Sequence, residues 1–149
     1  MQMKSEAYPF SSYPWQTSHD LRFADVDANG HINNGAFSAI MESSRSLMFF
    51  SDDIKDVAPY NFVLARFEID FFSSLSFPGT VRAGVGVLRV GKTSLLLKQA
   101  LFNPARCVAE AYSTIVATDP ATGRPRELGD ALRMQFRRWL LGPERPQID

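Results

Sequence analysis

From Gly35 to Ser51 the apolar residues return at helical intervals. Phe37, Ile40, Met41, Leu47 and Met48, with the small Ser44 among them, fall on one stripe, the pattern of a helix with one buried face. Phe49 and Phe50 extend past the stripe and make the last turn apolar almost all round, which predicts an enclosed helix. Asp52 and Asp53 follow at the end where the macrodipole disfavours anions, so the helix stops there or slightly earlier. Beyond it the period falls from helical to two. Ala65, Phe67, Ile69 and Phe71 alternate with Arg66, Glu68, Asp70 and Phe72, a half-buried strand with one largely polar face. Phe77–Pro78–Gly79–Thr80 reads as a turn, and three further strands follow over Val81 to Val90, Thr93 to Phe102 and Cys107 to Thr118.

Finer features refine this outline. Gly84 and Gly86 lie on one face of their strand and predict close approach by another element. Cys107, Ala109, Ala111 and Ser113 make one face of the last strand small, as suits a sheet wrapping a helix. Leu95, Leu96 and Leu97 are apolar on both faces, and an apolar back face predicts oligomerisation. A short strand is expected over Thr17 to Phe23 and a short C-terminal helix over Gly129 to Leu140. Residues 1–16 are rich in proline and aromatics and predict an extended arm packed on the body or on a partner subunit, with a frayed tail as the alternative. The division is thus an arm over 1–16, one domain over 17–142 and a tail over 143–149. One long helix enclosed by a curved antiparallel sheet satisfies the order, an α+β architecture.

Composition narrows the function. A chain of 149 residues fits one domain with a proper core. Sixteen Lys and Arg balance sixteen Asp and Glu, so no overall basic field favours nucleic acid or an anionic membrane, and neither is expected as a partner. A local basic patch for one phosphorylated ligand stays open. The single cysteine, Cys107, allows no internal disulfide, and the first residues lack the apolar core of a signal peptide, so a cytoplasmic protein is expected. Two histidines, His19 and His31, are too sparse for a metal site.

The polar run Asp25-Val26-Asp27-Ala28-Asn29-Gly30-His31-Ile32-Asn33-Asn34-Gly35 stands just before the long helix. Its residue types serve either a turn with a helix cap or chemistry. Asp27 can close an Asx-turn, Asn33 and Asn34 are natural N-caps, and Asp25 suits holding the loop. Equally, a carboxylate beside the free N–H groups of a helix's first turn provides an activated oxygen and oxyanion donors.

Arg22-Phe23-Ala24-Asp25-Val26-Asp27-Ala28-Asn29-Gly30-His31-Ile32-Asn33-Asn34, then Phe37 and Glu42-Ser43-Ser44-Arg45, resembles the hotdog-fold thioesterases of the 4-hydroxybenzoyl-CoA thioesterase-like family. The likeness spans about residues 17–132 and is most specific in the loop; Thr80 departs from it, where the family often has Asp after Pro-Gly. It implies a hotdog fold with about five strands, an acyl-CoA substrate, no cofactor, and a homodimer or homotetramer. The resemblance maps the catalytic carboxylate to Asp27, as nucleophile or base for water, and the oxyanion donor to the backbone N–H of Asn34 or Gly35. His31 either orients a substrate carbonyl or builds the loop. Glu42, on the helix, is the rival carboxylate because related hotdog enzymes place theirs there. CoA phosphates require cations, for which Arg89, Lys92 and Arg66 are candidates, with Thr93 and Ser94 adding hydroxyls beside Lys92. Alternatives are an acyl-carrier-protein thioesterase, a non-hydrolytic acyl-thioester-binding or assembly protein of the same fold, and a dehydratase.

Overall fold

The computed structural model describes residues 8–142. Five strands form one antiparallel sheet: β1 (Trp15–Asp20), β2 (Asn61–Phe71), β3 (Thr80–Val90), β4 (Ser94–Phe102) and β5 (Cys107–Thr118), in the order β1-β3-β4-β5-β2. Helix α1 (Asn34–Phe49) lies against β1, β3 and β4, and a second helix, α2 (Asp130–Arg137), packs on β3. This is the expected hotdog architecture.

The α1 stripe is buried as its spacing predicts: Phe37, Met41, Ser44, Met48 and Phe49 all face inward, with Arg45 among them. Leu47 departs from it at 51% exposed, and Phe50, expected to help enclose the last turn, is the C-cap and 85% exposed, because the sheet covers a narrower arc than the apolar residues span. Phe37 and Met41 join Val81, Ala83, Leu101, Ala109 and Ala111 in one core cluster; Met48 and Phe49 join Val85, Leu95, Leu97 and Ile115 in the next. The alanines of β5 leave the helix room to seat on the sheet.

Both helices end two or three residues earlier than expected, at Phe49 and Arg137, and three strand boundaries differ from the sequence expectation by more than one residue. β1 begins at Trp15, two residues early, because Trp15 and Gln16 already pair with Val85 and Gly84 of β3; the Trp15 indole N–H also donates to Ser44 O of α1 at 3.0 Å. It ends at Asp20, and residues 23–25 form a 3-10 turn instead of continuing the strand. β2 begins at Asn61, four residues early, because a register shift between Leu64 and Arg66 interrupts the alternation there.

The convex face of the sheet is closed by the chain itself. Tyr13 packs with Ala100, Phe102 and Leu141, and Tyr8, Phe10 and Leu88 border them. A Cβ at Gly84 would lie 2.4 Å from Tyr13 Cγ, and one at Gly86 would lie 2.7 Å from Leu141 Cβ. The two glycines are notches for the arm and for the C-terminal segment. Residues 8–14 therefore pack on the body; the rest of the proposed arm and the proposed tail, residues 143–149, lie outside the described residues. Apolar side chains stay exposed in several places, among them Phe23, Phe50 and Met134, and on the edge strand β2 three lie together, Val63, Leu64 and Phe71, each more than 40% exposed.

Candidate active site

The loop before α1 is built by its own polar groups. Arg22 grips Asp25 through two 2.8 Å bonds, which hold the Asp25 carboxyl below the usual carboxylate range. The Asp25 carbonyl then accepts from the Asn33 backbone N–H and from Asn33 Nδ2, both at 2.8 Å. Asn33 is the helix cap: its Oδ1 accepts from Ala36 N–H at 2.7 Å. Asp25 and Asn33 are thus structural. Asn34, the other cap candidate, is the first helical residue instead, and a Cβ at Gly35 would press to 3.1 Å from the capping Asn33 oxygen.

Asp27 has two faces. Its backbone N–H donates to His31 O at 2.7 Å and its carbonyl accepts from Gly30 N–H at 3.0 Å, the latter allowed by Gly30 at φ +78°. Its Oδ1 accepts from the N–H groups of Asn29 at 2.9 Å and His31 at 3.2 Å. Both side-chain bonds fall on this one oxygen; Oδ2 accepts none among the described residues. The Asx-turn is therefore real, and it leaves half the carboxylate open.

Asp27, His31 and Asn34 line a cleft of about 280 Å³ together with Ile32, Phe37 and the chain leaving β2, Phe71-Phe72-Ser73-Ser74. Phe37 and Phe71 meet edge to face at 5.2 Å and form its apolar wall. Because the Asn33 cap takes Ala36 N–H, the N–H groups of Asn34 and Gly35 keep no protein acceptor among the described residues. The cleft thus brings together the Asp27 carboxylate, Asn34 at the free N-terminus of α1 and an apolar wall, and Gly35 follows next along the helix. The wall from Phe71 to Ser74 was not singled out from sequence, because nothing in the alternation of β2 marks what its end will face.

Other candidates lie apart from the cleft. Glu42 is exposed on α1, eight residues beyond Asn34 and about 12 Å along the axis at 1.5 Å per residue. The hairpin of Arg89, Lys92, Thr93 and Ser94 closes the far end of β3; Lys92 pairs with Glu127 at 2.9 Å, and Gly91 N–H donates to Ser94 O at 2.7 Å. Arg66 pairs with Glu68 on β2. His19 bonds the Thr17 hydroxyl at 2.7 Å beneath α1, and burial lowers its pKa. Among the described residues no group of three or more His, Cys, Asp or Glu is placed to hold a metal, and no helix is long and apolar enough to cross a membrane.

Comparison with known proteins bears on the family and the fold. Residues 21–136 match the thioesterase-like superfamily, and the chain belongs to it. No curated protein matches the chain. Among solved structures it resembles a thioesterase from Thermus thermophilus complexed with coenzyme A and Zn, at 29% identity and TM-score 0.76, over 86% of this chain and 95% of that one. It resembles a predicted thioesterase from Bacillus stearothermophilus at 26% identity and TM-score 0.78, over 87% and 98% of the two chains. The PA5185 protein of Pseudomonas aeruginosa shares the fold at 20% identity and TM-score 0.82, over 91% and 98%. Superfamily and neighbours together support thioester hydrolysis as the general chemistry.

Proposed function

We propose that this protein is a cytoplasmic acyl-CoA thioesterase that releases free acid and CoA. One observation carries the reading: Asp27, with one carboxylate oxygen unbonded among the described residues, lines a cleft with Asn34, whose backbone N–H opens the helix next to that of Gly35. Thioester hydrolysis needs an attacking oxygen and donors for the developing oxyanion, and the cleft offers both. Asp27 either takes a proton from water as it attacks the thioester carbonyl or attacks that carbon itself, giving an anhydride that water then opens. The two N–H groups receive the carbonyl oxygen as it gains charge. The thiolate leaves and is protonated. The likeness to a thioesterase that binds coenzyme A favours a CoA thioester as substrate.

The working unit in this reading is a homodimer. β2 is an edge strand of eleven residues, and its inward-facing Leu64 and Phe71 stay 42% exposed because α1 packs over β1, β3 and β4 instead. An open edge beside an uncovered apolar trough fits a second copy. Pairing β2 with the partner's β2 extends the sheet and closes the trough next to the cleft.

The test is a panel of acyl-CoA and acyl-carrier-protein thioesters with free thiol release monitored. Turnover of CoA thioesters is the expected result. Tight binding of the panel with no thiol release would replace hydrolysis with an acyl-thioester-binding role.

A further inference from the structure

Arg45 is a buried cation with no ion-pair partner among the described residues. Only 6% of its surface is exposed, and its guanidinium stands 5.8 Å from the centre of the Phe67 ring on β2. Its one side-chain hydrogen bond among the described residues runs from Nη1 to Gln99 Oε1 at a long 3.4 Å. That oxygen is already taken by the Ser113 hydroxyl at 2.9 Å, and Gln99 Nε2 is committed to Met41 O at 2.7 Å. Among the described residues no carboxylate reaches ion-pair distance of Arg45. Burial pushes its pKa down, and the charge of Glu42 pulls it back up. Charges taken out of water are retained when something pairs them, so this guanidinium calls for an anion from outside its own chain.

The position of Arg45 says where that anion comes from. At 100° per residue, Ser38, Glu42, Arg45 and Phe49 share one flank of α1, and Ser44 lies on the other side toward β1. The flank faces β2: Phe49 stacks on Phe62 at 4.7 Å, and Arg45 stands over Phe67. This is the open side of the fold, where the trough waits to be closed. Glu42 is exposed on the same flank, three residues before Arg45, and acts on it through space without bonding it. A twofold-related copy presents the same flank running in the opposite direction. A carboxylate and a guanidinium three residues apart are then self-complementary: each meets its opposite across the axis, twice.

We propose that Glu42 and Arg45 form a reciprocal ion pair across the subunit boundary, each Arg45 being neutralised by the partner's Glu42. The inference rests on the homodimer reading and assigns Glu42 to assembly rather than to catalysis.

Charge reversal in separate chains tests it. Glu42→Lys sets a lysine against each Arg45, and Arg45→Glu sets two carboxylates together; each should raise the dimer dissociation constant at least about a hundredfold. Mixing the two variants, differently tagged, should restore heterodimers of near-native affinity, because every contact across the boundary is then attractive while contacts within each chain stay repulsive. If Arg45→Glu does not fold by circular dichroism, Glu42→Lys with Arg45→Met takes its place, and the double variant should dimerise more tightly than Glu42→Lys alone. A folded Glu42→Lys variant with native dimer affinity overturns the pair and leaves the homodimer standing. So does a mixture or double variant that gains nothing. A wild-type chain that is monomeric at micromolar concentration overturns both.

Discussion

At the scale of single residues, the candidate site turns on the two oxygens of Asp27. Oδ1 holds the loop through Asn29 and His31, Oδ2 accepts no hydrogen bond among the described residues, and the residue lines the cleft. Asn supplies an oxygen in place of Oδ1 but cannot serve as base or nucleophile. Asp27→Asn should therefore keep the thermal midpoint within about 2 °C, since surface changes that spare such contacts cost little, while kcat falls by about three orders of magnitude or more. Steady-state thiol release and a melting curve on the same preparation decide it; near-native turnover would leave Asp27 only its turn. The loop bonds of Asp25, the Asx-turn of Asp27 and the Asn33 cap were legible in the sequence because they are local: each bond spans eight residues or fewer, and Asx-turn and capping chemistry depends on spacing alone. The opposite wall, Phe71 to Ser74, was not legible. It reaches the loop through the fold of the sheet, and no periodicity records which strand end will stand across from a loop.

At the scale of elements, every strand was legible in the sequence, but the starts of β1 and β2 were misplaced. β2 was read from Ala65 because the bulge between Leu64 and Arg66 shifts the phase, and alternation on the two sides of a bulge does not join. Gly84 and Gly86, by contrast, announced close approaches, and the structure fills both notches. The approach at Gly84 can be measured. Added atoms in a packed interior cost about 1–3 kcal/mol; at about 2–4 °C per kcal/mol for a chain of this size, Gly84→Ala should lower the melting midpoint by roughly 2 to 12 °C. The cause is the Tyr13 ring and Cβ, at 2.4 and 2.8 Å from the added carbon. In a Tyr13→Gly background the same substitution should cost much less. An equal loss in both backgrounds would show that the notch does not serve the arm.

At the scale of the whole molecule, the nucleotide of CoA must be held by a few local cations, because the net charge is zero and long-range steering is weak. The hairpin bearing Arg89 and Lys92 lies at the wrong end of its own chain. β1 ends opposite Thr80, close to the Asp27 loop, and β3 then runs eleven residues away from it, more than 30 Å at about 3.3 Å per residue. The start of β2 lies at that same far end, since Asn61 pairs with Thr118 and Ser94 with Val116. Antiparallel pairing of β2 with the partner's β2 reverses this: the far end of one copy comes beside the cleft of the other. Lys92 is thus proposed to serve the partner's site, exchanging Glu127 for phosphate. Lys92→Ala should raise KM for an acyl-CoA by about tenfold with kcat nearly unchanged, the signature of lost uniform binding, and should matter little for an acyl-pantetheine. Mixed dimers separate the geometries. In a heterodimer of Asp27→Asn with Lys92→Ala, action across the boundary leaves one intact site, with native KM and about half the native rate. Action within one chain leaves the surviving Asp27 beside Ala at position 92, and KM stays raised. A heterodimer with raised KM would return the hairpin to its own chain, and an unchanged KM in the homodimeric Lys92→Ala variant would remove it from nucleotide binding altogether.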